Sequence, residues 1–280
     1  MSALQKNLRC ARKQFCYFST FCIVMCIDMT QRLIILSILA CSLLISITLK
    51  ADGLSDLRLT LNTFSAKQPI KARVKAMVTS NQVEDNKPIT ASGTMEVLVD
   101  HDASGISVKW SQADLLRIQE EADKKNADPD SLSILRQAMH SSDAASMRSL
   151  LDHSHPILRD LRTASVQSDT KESLDGAVLR KLVFKLDPTM SESQKKSVKS
   201  MSVTLNIWVN DANIPVYSEE KTEFKGSRFF ISFDSNELQK RKYQVVGDRL
   251  VVTQLETTSS MSASIWGSTS TTNKYTVTIL

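Results

Sequence analysis

Past its first fifty residues the chain settles into a period of two. Ile70, Ala72, Val74, Ala76 and Val78 alternate with Lys71, Arg73, Lys75, Met77 and Thr79. This is the pattern of a strand with one apolar and one cationic face, in an antiparallel sheet wet on one side. Just before it, leucines at 54, 57, 59 and 61 within Gly53–Phe64 fit a short helix or a strand, with helix preferred. A polar turn from Asn81 to Pro88 leads into Ile89–Val99, where Gly93, Met95, Val97 and Val99 alternate with Ser92, Thr94 and Glu96. His101–Gly105 reads as the next turn and Ile106–Trp110 as a third strand.

At Ser111 the spacing becomes helical. Ser111 and Asp114 make a capping-box-like pair, and Trp110 is placed to pack on Leu115 as a hydrophobic staple. Leu115, Ile118 and Ala122 then share one face, and Asn126-Ala127-Asp128-Pro129 ends the helix. Leu132, Leu135 and Met139 predict a second helix, and Met147, Leu150 and Leu151 a third. Pro156 suits the first turn of a fourth that carries Ile157, Leu158 and Leu161. Residues 111–162 are therefore a helical insertion between strands.

Strands resume at Leu179–Leu186, with Ser191 and Gln194 capping one short helix behind them. Met201, Val203, Leu205, Ile207 and Val209 give the clearest alternation in the chain. Asn210–Asn213 is a hairpin loop returning through Ile214–Phe224. Further strands are expected at Arg228–Asp234, Lys240–Val246, Arg249–Thr258 and Lys274–Leu280, with Gly226, Gly247 and Gly267 at turns. The Ser/Thr-rich stretch Thr257–Thr272 reads as a solvated loop or edge hairpin rather than a recognition or glycosylated tract. The fold class is α+β: a large twisted antiparallel sheet with helices packed on one face.

Charge and cysteine separate the first fifty-one residues from the rest. Of 35 basic and 30 acidic side chains, six basic and one acidic lie in residues 1–51, which leaves 29 of each beyond. A neutral remainder lacks the clustered positive field that phosphate-backbone binding needs, so no nucleic-acid partner is expected. All five cysteines precede Asp52, so the region 52–280 has no disulfide, thiolate metal site or cysteine nucleophile. Leu33–Leu49 is a run of seventeen uncharged, mostly apolar residues behind Arg32, and Ala51 follows as the cleavage position of a secretory signal. Translation from Met29 would make that signal one of ordinary length. The expected domains are thus 1–51, an N-terminal extension and signal, and 52–280, one β-rich domain in the periplasm or secreted. One alternative keeps residues 33–49 as an inner-membrane anchor. Another lipidates Cys41 in a stretch similar to a bacterial lipobox, from which Leu39 departs.

No catalytic, cofactor or metal motif emerges, and the chain is expected not to be an enzyme. The seven glycines form no G-x-S-x-G, P-loop or G-x-G-x-x-G pattern. His153 and His155 would share a face if extended, as a metal site wants, but a helix end at Pro156 makes them diverge and no third ligand is identifiable. The acid pairs Glu120-Glu121 and Glu219-Glu220 sit among lysines and read as solvated faces rather than a glycosidase dyad. Lys240-Arg241-Lys242-Tyr243 with Arg249 is the densest basic cluster. It could meet a lipid headgroup or an acidic partner, and reads more simply as the wet side of a sheet edge. A transmembrane barrel is disfavoured by the helical insertion and by the terminal Thr276-Val277-Thr278-Ile279-Leu280.

In element order, the export signal, the hairpins Ile70–Trp110, the interposed helices and the meander Met201–Thr258 resemble the periplasmic lipoprotein carrier (LolA-like) superfamily. The resemblance implies a half-barrel whose concave apolar side, lidded by helices, holds acyl chains of a lipid or lipoprotein. It covers most of residues 53–258 without a diagnostic motif, and the helical insertion is longer than in that family. Small residues on the apolar face (Ala72, Ala76, Ala91, Gly93) leave room for such a ligand, which places its candidate contacts at Ala72, Val74, Ala76, Gly93, Met95 and Val97. A different expectation is an envelope interaction or scaffold protein that binds through sheet edges or the tail 257–280.

Overall fold

The computed structural model describes residues 53–84, 87–128, 131–188, 190–191, 197–228, 231–264 and 267–280. The chain divides into Met1–Ala51 and Asp52–Leu280, and only the second is described below. The signal, the anchor, Met29 and Cys41 lie outside the described residues, as does the short helix expected behind Ser191.

Ten strands form one antiparallel sheet. They are β1 (Ile70–Glu84), β2 (Lys87–Asp102), β3 (Gly105–Trp110), β4 (Ser165–Leu174), β5 (Ala177–Leu186), β6 (Val198–Val209), β7 (Pro215–Arg228), β8 (Ile231–Val246), β9 (Arg249–Ala263) and β10 (Gly267–Ile279). Among the described residues five helices accompany them: α1 (Gly53–Leu61), α2 (Gln112–Ala127), α3 (Ile134–His140), α4 (Ala144–Leu151) and α5 (Ser154–Asp160). The strand order is β3-β2-β1-β10-β9-β8-β7-β6-β5-β4, so β1 pairs with β10 mid-sheet and the sheet stays open between β3 and β4. The chain must pass from one edge strand to the other between them. If the sheet were flat, that path would cross nine inter-strand spacings of ~4.8 Å. Helices α2–α5 fill this connection. α3 packs on β1 and β2, α4 on β9 and β3, and α5 against α1.

Alternation sorts the two faces of the sheet. Ala72, Val74, Ala76 and Val78 are buried under the helices, while Lys71, Arg73 and Lys75 are exposed on the far side. There Lys71 pairs with Asp100 at 3.3 Å and Arg73 with Glu96 at 3.1 Å across the β1–β2 ladder. The core joins this flank to Leu182, Phe184, Leu205 and Ile207 on β5 and β6, with Leu57 and Leu61 of α1 and Met147, Leu150 and Leu151 of α4. α4 begins where Asp143 accepts a hydrogen bond from the Ser146 amide at 2.7 Å, and Met147 and, one turn on, Leu150 and Leu151 fall on its buried side.

Several sequence expectations are corrected. α2 starts at Ser111, which accepts from the Asp114 amide at 3.0 Å, but no residue of this helix is buried and Leu115 is 46% exposed. The helix meets α3 and the margin of β2 rather than a sheet face. β3 stops pairing at Val97–Trp110, and Arg117 donates at 3.2 Å to the Thr94 carbonyl on the β2 edge beyond that point. The strand β4 has no apolar alternation because, as an edge strand, it is exposed on both faces. Arg228–Asp234 and Lys240–Val246 fall largely within a single strand, β8, which starts at Ile231. The polar residues between them look like a break only because the helix-bearing face is itself polar there. The expected turn Asn81–Pro88 is mostly ladder, paired to Glu84–Lys87, and Gly226 lies within β7. A Cβ at Gly226 would clash with the Phe233 ring. Thr257–Thr272 is neither loop nor edge hairpin but the paired arms of β9 and the interior strand β10. Among the described residues no helix is long and apolar enough to cross a membrane.

Candidate functional site

The helix-bearing face of the sheet is not uniformly apolar. Read across the strands in register, one row runs Met95, Ala76, Tyr275, Leu255, Arg241, Ser218, Ile207, Leu182. The next runs Gly93, Val78, Asn273, Thr257, Gln239, Glu220, Leu205, Phe184. Both flanks are hydrocarbon, whereas β7–β10 in the middle present amide, hydroxyl and charged groups. Over this polar centre, beside α4, lies a cavity of about 420 Å³, within the range of small-molecule sites. Its walls are Ala145, Ser146, Met147, Ser149, Leu150 and His153, and its floor is Gln239, Arg241, Leu255, Thr257, Asn273 and Tyr275, with Ser141 at the rim.

Strand periodicity splits the basic cluster read from the sequence. Arg241 and Tyr243 are buried on the helix-bearing face, while Lys240 and Lys242 point to the opposite side. The acid pair divides in the same way. Arg241 donates from Nη1 and Nη2 to Glu220 Oε2, each at 3.1 Å, and also to Gln239 Oε1. Glu219 instead accepts from the Tyr217 hydroxyl at 2.7 Å and faces Lys240 at 3.8 Å. On that outer side Lys240, Lys242, Lys274 and Tyr217 border a hollow of about 200 Å³. Lys242 pairs there with Asp175 at 3.4 Å and Lys274 with Glu256 at 3.1 Å.

The two histidines also part company. His155 is exposed and pairs with Asp152 at 2.9 Å, whereas His153 is buried beside the cavity, its ring 5.5 Å from Tyr243. Among the described residues no group of His, Cys, Asp and Glu side chains is placed to hold a metal ion. Burial, reinforced by the nearby Arg241 cation, pushes the His153 imidazole down to about 3. Its Nδ1 lies 2.9 Å from the Ser149 carbonyl oxygen. A carbonyl only accepts, so Nδ1 carries the ring proton. Ser149 Oγ, 3.4 Å from the same nitrogen, therefore gains no base from it. Burial likewise pushes the Tyr243 phenol up to about 12, and its hydroxyl shares a 2.7 Å hydrogen bond with Ser218.

The six predicted ligand contacts do come together, on the neighbouring strands β1 and β2. Ala72, Val74, Ala76, Met95 and Val97 are buried in the core. A Cβ at Gly93 would meet Leu135 Cδ2 at 2.9 Å and Ile134 Cγ2 at 3.1 Å on α3. None of the six lines the cavity beside α4. Gly93→Val is expected to push α3 from the sheet and lower stability by about 1–3 kcal/mol, visible as a drop in Tm. An unchanged Tm would mean that α3 does not press on β2. The residues that do line the cavity were legible in part: Arg241 and His153 stood out in the sequence, while Gln239, Thr257 and Asn273 carry no signal until β8–β10 are aligned.

Neither a protein-family model nor a curated protein matches the sequence. Among solved structures, the crystal structure of a DUF1329 family protein from Desulfovibrio piger ATCC 29098 at 1.75 Å resolution aligns with 80% of this chain and 90% of its own. The two share 11% identity with a TM-score of 0.28, too low to support an inference about function.

Proposed function

We propose that this chain is a non-catalytic exported protein, periplasmic or secreted, that holds an amphiphilic lipid or the acyl part of a lipoprotein against the concave face of its sheet. The observation that supports this most is the cavity of about 420 Å³ between α4 and β8–β10, apolar at Met147, Leu150 and Leu255 and polar at Arg241, Gln239 and Asn273. Such a space accepts a hydrocarbon chain on one side and a headgroup on the other. Export rests on the apolar run Leu33–Leu49 behind Arg32. Native mass spectrometry of protein released gently from the cell envelope is expected to show a noncovalent adduct that organic extraction removes. A strictly apo mass across several preparations, with no uptake of lipid from vesicles, would overturn the reading.

A second reading, an envelope interaction protein, is favoured by one feature. Among the described residues β4 pairs only with β5, and it offers a ten-residue edge exposed on both faces. The tail 257–280 is unsuited to that role, because β10 is an interior strand and its removal would take from β1 and β9 one of the two ladder partners each has. Thr170→Pro on β4 would block strand addition at that edge, and an unchanged set of captured partners would count against it.

A further inference from the structure

The hydrogen-bonding state of the cavity restricts what kind of headgroup it accepts. His153 is 7% exposed and borders the cavity. Because its Nδ1 proton goes to the Ser149 carbonyl and the buried ring is neutral, Nε2 is a bare lone pair. Nε2 has no hydrogen-bond partner among the described residues. Asn273, on the cavity floor, has a buried side-chain oxygen likewise without a partner. Both unmet groups are acceptors, and for the Asn273 oxygen, which is fully buried, the missing hydrogen bond is costly. The cation of the site is meanwhile committed: Arg241 donates twice to Glu220 and once to Gln239.

An anionic headgroup would face the Nε2 lone pair and a guanidinium already committed to Glu220 and Gln239. A cationic one would lose its hydration in a cavity whose lining offers it no carboxylate. Resting on the ligand reading above, we propose that the bound amphiphile carries an uncharged hydrogen-bond donor, a hydroxyl or amide N–H, which donates to His153 Nε2. Ser146 and Thr257 on the cavity lining offer hydroxyls that can accept from or donate to a second polar group of such a headgroup.

Four single-chain probes with the same dodecyl-length tail separate the outcomes: 1-monododecanoylglycerol, methyl dodecanoate, dodecanoate and dodecylammonium, each below its aggregation threshold and read by calorimetry on the full chain. The glyceride is expected to bind about tenfold tighter than the methyl ester, which lacks a donor, and tighter than either ion. His153→Phe keeps a ring in place and is expected to bring glyceride and ester within about twofold. Asn273→Leu, on the cavity floor and away from the Ser149 contact, is expected to narrow the gap as well, and it keeps the test open if the histidine variant does not fold. Equal affinities for glyceride and ester, or tightest binding of dodecanoate, would overturn the donor selectivity while leaving the ligand reading intact. Binding of none of the four would overturn both.

Discussion

Replacing Arg249 by alanine is expected to lower the unfolding free energy by about 4 kcal/mol, far more than breaking any of the exposed ion pairs on the outer face of the sheet. Arg249 is 1% exposed, and no carboxylate pairs with it among the described residues. Its Nε donates at 2.9 Å to the Gln68 carbonyl and its Nη1 at 3.0 Å to His101 Nδ1. Truncation removes both hydrogen bonds and opens a void the size of a long side chain. It also loosens a clamp. The β8–β9 turn, with Gly247 at φ 58°, holds the segment entering β1 through Asp248, which accepts from the amides of Lys67 at 2.8 Å and Gln68 at 3.2 Å. Arg249→Met keeps most of the volume and removes a desolvated charge, so its cost is expected to be only about 1–2 kcal/mol. Urea denaturation of the three proteins checks this. If alanine and methionine cost the same, the void contributes little and the lost hydrogen bonds dominate. If alanine costs less than about 1 kcal/mol, the clamp is not structural.

Acidification from pH 7 to pH 4 is expected to cost the folded state about 3 kcal/mol through His153 alone. In the unfolded chain this histidine takes a proton below its ordinary value of 6.5, whereas in the folded protein burial and Arg241 hold it neutral down to about 3. The unfolded state therefore binds more protons throughout that window, so stability is full above pH 6.5 and falls as the pH drops toward 3. His101 adds in the same direction, its imidazole lowered first by burial and then by the Arg249 cation. Carboxylates held down by hydrogen bonds, such as Asp143 at the α4 cap, act only at the acid end of the range. His153→Phe, which cannot titrate, is expected to flatten the difference in denaturation midpoint between pH 7 and pH 5. A variant with the same slope as the parent would show that His153 is accessible to protons when folded.

How much of this was legible in the chain depends on which physical signal each element carries. β1 and β6 announce themselves, because hydrocarbon alternates with polar groups wherever one face of a strand is buried and the other wet. The third helix of the insertion is equally plain: Met147, Leu150 and Leu151 all land in the core. β4 is silent since an edge strand wet on both sides has no contrast to display, and β8 looks broken for the opposite reason, its Glu237, Gln239 and Arg241 facing the helices rather than water. The Ser/Thr-rich stretch misleads in the same way. Composition suggests a loop, yet strand pairing on both sides makes β10 an interior member of the sheet.

Local spacing alone thus determined the α+β class, the helical insertion, the start of α2 at Ser111 and the division of faces on β1. The tertiary structure decided everything that depends on which strands become neighbours. Only the β1–β10 pairing brings Asn273 beside the apolar flank, and only the alternation of β8 sends Arg241 inward to Glu220 while Lys240 and Lys242 go outward. The reason lies in the range of the forces involved. Side-chain periodicity is set by backbone geometry over a few residues, whereas a cavity is formed by groups far apart in sequence whose meeting depends on the whole sheet assembling in one register.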